Sequence, residues 1–164
     1  MTLTATKTVS TPTKTRPASV VALISLLIFL GVTALAGGAA MVFGIGDGVV
    51  LPPADWLDGI PLIETWVLPG LVLGIGFGLG ASFAAYGMLR LPRWDWASLV
   101  ERPTGHHWSW IAALLLGLGQ VMWISLELIY LPEPSWLNAM YGVVGLGLIL
   151  LAIMPSVRSH LKLA

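Results

Sequence analysis

Apolar residues run along this chain in long unbroken blocks, not in the alternating or one-in-three-or-four patterns of water-exposed strands and helices. Uncharged stretches cover residues 17–46, 65–89, 103–126 and 134–157. Each is long enough for the roughly 20 apolar residues a helix needs to cross a hydrocarbon core. Helices are therefore expected at about 18–43, 65–89, 107–131 and 135–155. The expected fold class is all-α: an integral membrane protein whose four transmembrane helices form two antiparallel hairpins, with residues 18–158 as one transmembrane domain.

Charge orients this arrangement. Lys7, Lys14 and Arg16 precede the first span, Arg90, Arg93 and Arg102 lie between the second and third, and Arg158 and Lys162 follow the fourth. All eight basic residues thus fall on one side. An even random split would do this about once in a hundred trials, so the rule that basic loops stay inside puts both termini in the cytoplasm. Residues 1–17, rich in Thr and without a large apolar cluster, read as a flexible cytoplasmic tail, and 159–164 as a second cytoplasmic tail.

Composition strengthens the membrane assignment. The 164-residue chain is 57% hydrophobic and 10% charged, against roughly 25% charged residues in soluble domains. It has no cysteine, which excludes disulfides, thiolate metal sites and thiol redox chemistry. Net charge is zero, yet Asp47, Asp55, Asp58, Glu64 and Glu133 all lie on the non-basic side. Positive residues, an apolar run and Ala34-Leu35-Ala36 also fit a cleavable signal, but the uncharged run continues ten residues further, so an uncleaved first helix is expected.

Loop composition adds little chemistry. Gly44, Gly46, Gly48, Gly59, Pro52, Pro53 and Pro61 break the 44–64 connection into turns, with interleaved apolar residues that suggest an interfacial loop. Its acids make it a weak cation site at most. A short motif, L-P-x-x-x-W-L, recurs at Leu51–Leu57 and Leu131–Leu137; as a repeat it would make Trp56 and Trp136 interface anchors. Arg90, Arg93, Trp94 and Trp96, then Arg102, His106, His107, Trp108 and Trp110, read as belts at the headgroup layer. His106 and His107 are sequence neighbours, so they do not share a helical face and make a poor metal pair. No haem, metal or other cofactor is expected.

The polar residues of the third span come nearest to chemistry. Gln120, Trp123, Glu127 and Tyr130 recur at steps of three, four and three, which places them on one stripe. A carboxyl at membrane depth must pair, neutralise or meet water, so Glu127 is a functional candidate; headgroup contact is its structural alternative. Gln120 is expected to make an interhelical hydrogen bond. In the second span Gly70, Gly74, Gly78 and Ser82 recur every four residues, a small-residue face that permits close backbone approach. The first span offers Ala36, Ala40 and Gly44 in answer; a homodimer contact is the alternative use.

Several of these features together resemble a group of small bacterial four-helix integral membrane proteins without an established activity. The resemblance rests on Gly37-Gly38, on Gly59-Ile60-Pro61 followed by Thr65-Trp66-Val67-Leu68-Pro69-Gly70-Leu71, on the Trp-rich third span and on the ending Ala152 to Arg158, and it covers the chain from about residue 18. It implies a bacterial plasma membrane and assigns no catalytic residue. No nucleophile, base and orienting group can be assembled from the polar residues of the spans, so an enzyme is not expected. The sequence favours a non-enzymatic envelope or accessory protein acting through helix contacts, with the lipid bilayer, a second copy or another membrane protein as partner and no nucleic acid. The competing expectation is a small proton- or cation-coupled transporter or channel using the polar stripe.

Overall fold

Helix boundaries fall where the backbone chemistry changes. The structure, a computed structural model, describes residues 16–46, 53–58, 60 and 63–163. The expected flexible tail therefore lies, for residues 1–15, outside the described residues, as do Leu51 and Pro52 of the first L-P-x-x-x-W-L motif and Asp47, Gly48, Gly59 and Pro61 of the same connection. Helix α1 (Ala18–Phe43) follows Pro17 and stops at Gly44, whose φ of 65° is the left-handed conformation that ends helices. Helix α2 runs from Val67 to Arg90, with one π-helical stretch at Val72–Leu79. After Leu91 and a 3-10 turn at Asp95–Ala97, a short helix α3 (Ser98–Thr104) ends on left-handed Gly105. Helices α4 (Trp108–Tyr130) and α5 (Trp136–Ile153) complete the set. Pro155 forces Met154 out of the helical region and starts a separate helix α6 (Pro155–Leu161).

Helices α1, α2, α4 and α5 are long and apolar enough to cross a membrane. The described residues are helical throughout apart from turns and one isolated bridge. Large apolar side chains face outward along all four, among them Val32, Ile75, Met122, Ile129 and Val143, a distribution suited to lipid and costly in water.

Lipid removes the hydrophobic drive between helices, so they associate by close packing. The contact of α1 with α2 meets this demand with glycine. A Cβ at Gly38 would fall 2.6 Å from Gly70 O and from Gly74 N and Cα, one at Gly78 would meet Leu35, and one at Gly31 would meet Ser82 Oγ at 2.7 Å. The stripe Gly70, Gly74, Gly78 and Ser82 is thus used within the chain, against α1, and the partner on α1 is Gly31, Leu35 and Gly38, not the expected line through Ala36, Ala40 and Gly44. Residues four apart over-rotate by about 40° in a helix of 3.6 residues per turn. The wider π stretch, with its i→i+5 bonds, turns less per residue and keeps the stripe facing α1. A second glycine contact joins α4 to α5, where Gly117 and Gly145 abut Leu148, Ile149, Gln120 and Val121.

The basic end carries more structure than short tails and loops would need. Arg16 Nη2 donates to Leu89 O at 2.6 Å, capping an otherwise orphaned carbonyl at the end of α2. Residues 159–163 differ from a trailing tail: Val157 and Leu161 are buried, His107 N–H bonds to Leu161 O, and Leu163 N–H bonds to Gly105 O. The cause is the turn at Pro155, which folds the chain end back under the bundle. Trp94 stacks on Phe83 at 5.4 Å and on Trp108 at 5.4 Å, so the aromatic belt is in part a packed cluster. Trp108 fits there because Gly87 has no side chain.

The glycine contact makes a discriminating prediction. Gly38→Ala should destabilise the protein by about 1–3 kcal/mol through overpacking against backbone, whereas Gly74→Ala, whose Cβ would sit at an ordinary 3.7 Å from Gly38 Cα, should be neutral within about 1 kcal/mol. Reversible unfolding in mixed detergent measures both; equal losses would sink the assignment of Gly38 as the tight position.

Candidate functional site

At the end opposite the arginines, Tyr130 closes α4 and the Pro132 and Pro134 turn leads into α5. Asn138 sits in the first turn of α5 and serves two masters. Its Oδ1 accepts from Ser135 N–H at 2.7 Å and from Ser135 Oγ at 3.0 Å, which caps the helix start. Its Nδ2 donates to Glu127 Oε2 at 2.7 Å. The other carboxylate oxygen, Oε1, accepts from Trp123 Nε1 at 2.5 Å, one turn earlier on α4. Trp123 in turn meets the edge of Phe77 from α2, with ring centroids 6.0 Å apart. One acid thereby links α4 to α5, and through Trp123 to α2.

Hydrogen bonds offset part of the desolvation that this placement costs. A charge at membrane depth is tolerated when satisfied by hydrogen bonds, and both Glu127 oxygens have a donor. The start of α5 also presents the positive end of its dipole to the carboxylate. Both donors are neutral, as the absence of any basic residue at this end requires.

The four stripe residues do not act together. Trp123 and Glu127 are joined, while Tyr130 is 45% exposed at the helix end. Gln120 is 1% exposed and packs against Gly145, yet its Oε1 has no hydrogen-bond partner among the described residues. The expected interhelical hydrogen bond through that oxygen is therefore corrected: the facing stretch of α5 offers Gly145 and apolar neighbours, and no donor there reaches it. An unpaired buried carbonyl of this kind costs about 1–3 kcal/mol.

Sequence reasoning missed Asn138 and Ser135. The signal was present as Ser135-x-x-Asn138 ahead of an apolar run, a variant of the capping pattern. It also missed that His107 and Glu101 organise the start of α4. Glu101 Oε1 accepts from Trp108 N–H at 3.1 Å, His107 Nδ1 accepts from Ser109 N–H at 3.4 Å, and His107 Nε2 donates to Pro92 O at 3.1 Å. These side chains satisfy helix-start donors and a loop carbonyl, which gives them local structural work.

No protein-family model, no curated protein and no solved structure matches this chain. Roles for its residues rest on their geometry.

The tie predicts energetic coupling. In a double-mutant cycle of Glu127→Ala and Asn138→Ala, the pair should show a coupling of about 1 kcal/mol, the scale of hydrogen bonds between membrane helices. Additive losses in detergent unfolding would show that the two side chains do not hold α4 to α5.

Proposed function

We propose that the chain is a small non-enzymatic accessory protein of a bacterial plasma membrane, built as two antiparallel hairpins with both termini cytoplasmic, that acts through lateral helix contacts with a second copy or another membrane protein. The observation that carries this reading is the state of Glu127: both of its oxygens are occupied by neutral donors of its own chain. Its chemistry is spent on holding helices together. What the bundle then offers a partner is its apolar exterior, including the outward stripe of Leu115, Leu118, Met122 and Ile129 on α4.

A second reading has one observation in its favour. Gln120, two turns from Glu127 on the same helix, keeps a buried oxygen without a partner, which a passing cation or proton-bearing water would satisfy. In that case the chain is a small coupled transporter or channel.

Two experiments decide between these readings. A photo-crosslinker at Met122 should capture a second copy or another membrane protein in native membranes while one at Val32 captures lipid; equal capture at both positions, or none, defeats the lateral-contact reading. In reconstituted vesicles Glu127→Gln should leave proton and cation flux unchanged, whereas lost flux with an intact fold would establish the transporter. The absence of native cysteine makes topology simple to test. Single cysteines at Asp58 and Pro103 should label from outside and inside respectively, and outside labelling of Pro103 would overturn the orientation.

A further inference from the structure

The outer face of α2 combines an apolar groove with unpaired positive charge. Leu79, Gly80, Ser82, Phe83 and Tyr86 line the groove. Ser82 Oγ is already committed to Gly78 O at 2.8 Å, so the wall is apolar apart from the Tyr86 hydroxyl. Leu79, Phe83, Tyr86 and Arg90 follow one another at steps of four, three and four, and all four are exposed, so they lie along a single outward stripe. Eleven residues at 1.5 Å each give about 16 Å from Leu79 to Arg90. One leaflet of a hydrocarbon core is about 15 Å deep. The stripe thus runs from the bilayer midplane to the headgroup layer.

Positive charge gathers at its headgroup end. Leu91, in the left-handed conformation at φ 47°, reverses the chain after Arg90. Trp94 consequently folds back to stack on Phe83 at 5.4 Å and on Tyr86 at 6.4 Å, and the exposed Arg93 is its neighbour in sequence. Arg16 adds a third positive charge through its bond to Leu89 O. Among the described residues, neither Arg90 nor Arg93 has a carboxylate within ion-pair distance, the exposed Asp95 two residues from Arg93 included. A second apolar groove, lined by Leu26, Phe29, Ala139, Met140, Val143 and Val144, has no basic residue within a turn of either lining segment. The two grooves differ in charge, and that difference points to the occupant.

We propose that this end of α2 is a binding site for an anionic phospholipid, whose acyl chain lies in the groove along Leu79, Phe83 and Tyr86 while Arg90 and Arg93 hold its phosphate. Arginine suits the task because its planar fork donates two parallel hydrogen bonds to phosphate oxygens. The Tyr86 hydroxyl, one turn below Arg90, reaches the level of the ester groups. The inference does not depend on which side of the membrane this end faces, since headgroups of either leaflet present the same phosphate.

Native mass spectrometry of the full chain, with phosphatidylglycerol and phosphatidylcholine of matched acyl chains competing for it, tests the site. The wild type should retain phosphatidylglycerol with a preference of about thirtyfold, the scale expected for two arginines at an anionic surface. R90Q/R93Q should reduce that preference to a few fold, R90K/R93K should keep most of it, and Leu79→Trp, which fills the groove, should lower retention of both lipids. R102Q/R158Q, which removes two positive charges elsewhere at the same end, should leave the preference unchanged. Equal retention of the two lipids by the wild type, an undiminished preference in R90Q/R93Q, or an equal loss in R102Q/R158Q would each overturn the proposal. If R90Q/R93Q loses its fold, the single variants R90Q and R93Q decide: each should lower the preference about fivefold with the fold intact, and an unchanged preference in both rejects the site.

Discussion

Helices surrounded by hydrocarbon gain nothing from burying one more apolar side chain against each other, so their association depends on how closely their backbones can approach. In this chain that approach happens at Gly38, where α1 meets Gly70 and Gly74 of α2 with no room for a methyl group. The remainder of the bundle is arranged around it. Leu35 settles against Gly78 and Gly31 against Ser82 because the register set at Gly38 leaves those positions opposite each other. The π stretch at Val72–Leu79 keeps the small face of α2 turned toward α1 over that length, and it also directs Phe77 to Trp123 on α4.

Polar groups then lock what close packing positions. Glu127 is the deepest acid among the spans, and its two bonds to Trp123 and Asn138 turn a residue that would be expensive in lipid into a link between three helices. At the opposite end Arg16, Glu101 and His107 perform the equivalent service for orphaned helix termini. Hydrogen bonds within a low-dielectric medium reward complete satisfaction and penalise its lack. Among the described residues the exceptions are the ring N–H groups of Trp66 and Trp108 and the side-chain oxygen of Gln120, which is enclosed without a donor.

These features divide the molecule by role. The interior holds its polar groups to one another, and both Glu127 oxygens are bonded there within the chain. The exterior differs from place to place: an apolar stripe on α4, an uncharged groove between α1 and α5, and a groove on α2 that ends among arginines.

The apolar blocks and the sorting of basic residues were legible from residue order alone, because span length and the energetics of placing charge in a bilayer act on each segment separately. The four-residue glycine period of α2 was equally legible as a packing face. Which residues it would meet was not: spacing identifies a surface that can approach closely, while the meeting with Gly38, in place of Ala36 and Ala40, depends on how the two helices are rotated and shifted against each other in space. The stripe of Gln120, Trp123, Glu127 and Tyr130 shows the same limit. Periodicity put the four residues on one face, but Asn138 lies on another helix beyond a double-proline turn, and the orphaned oxygen of Gln120 depends on what α5 happens to place opposite it. Hydrogen bonds are settled by partners brought together in space, and a one-dimensional pattern carries no information about a partner eleven residues and a turn away.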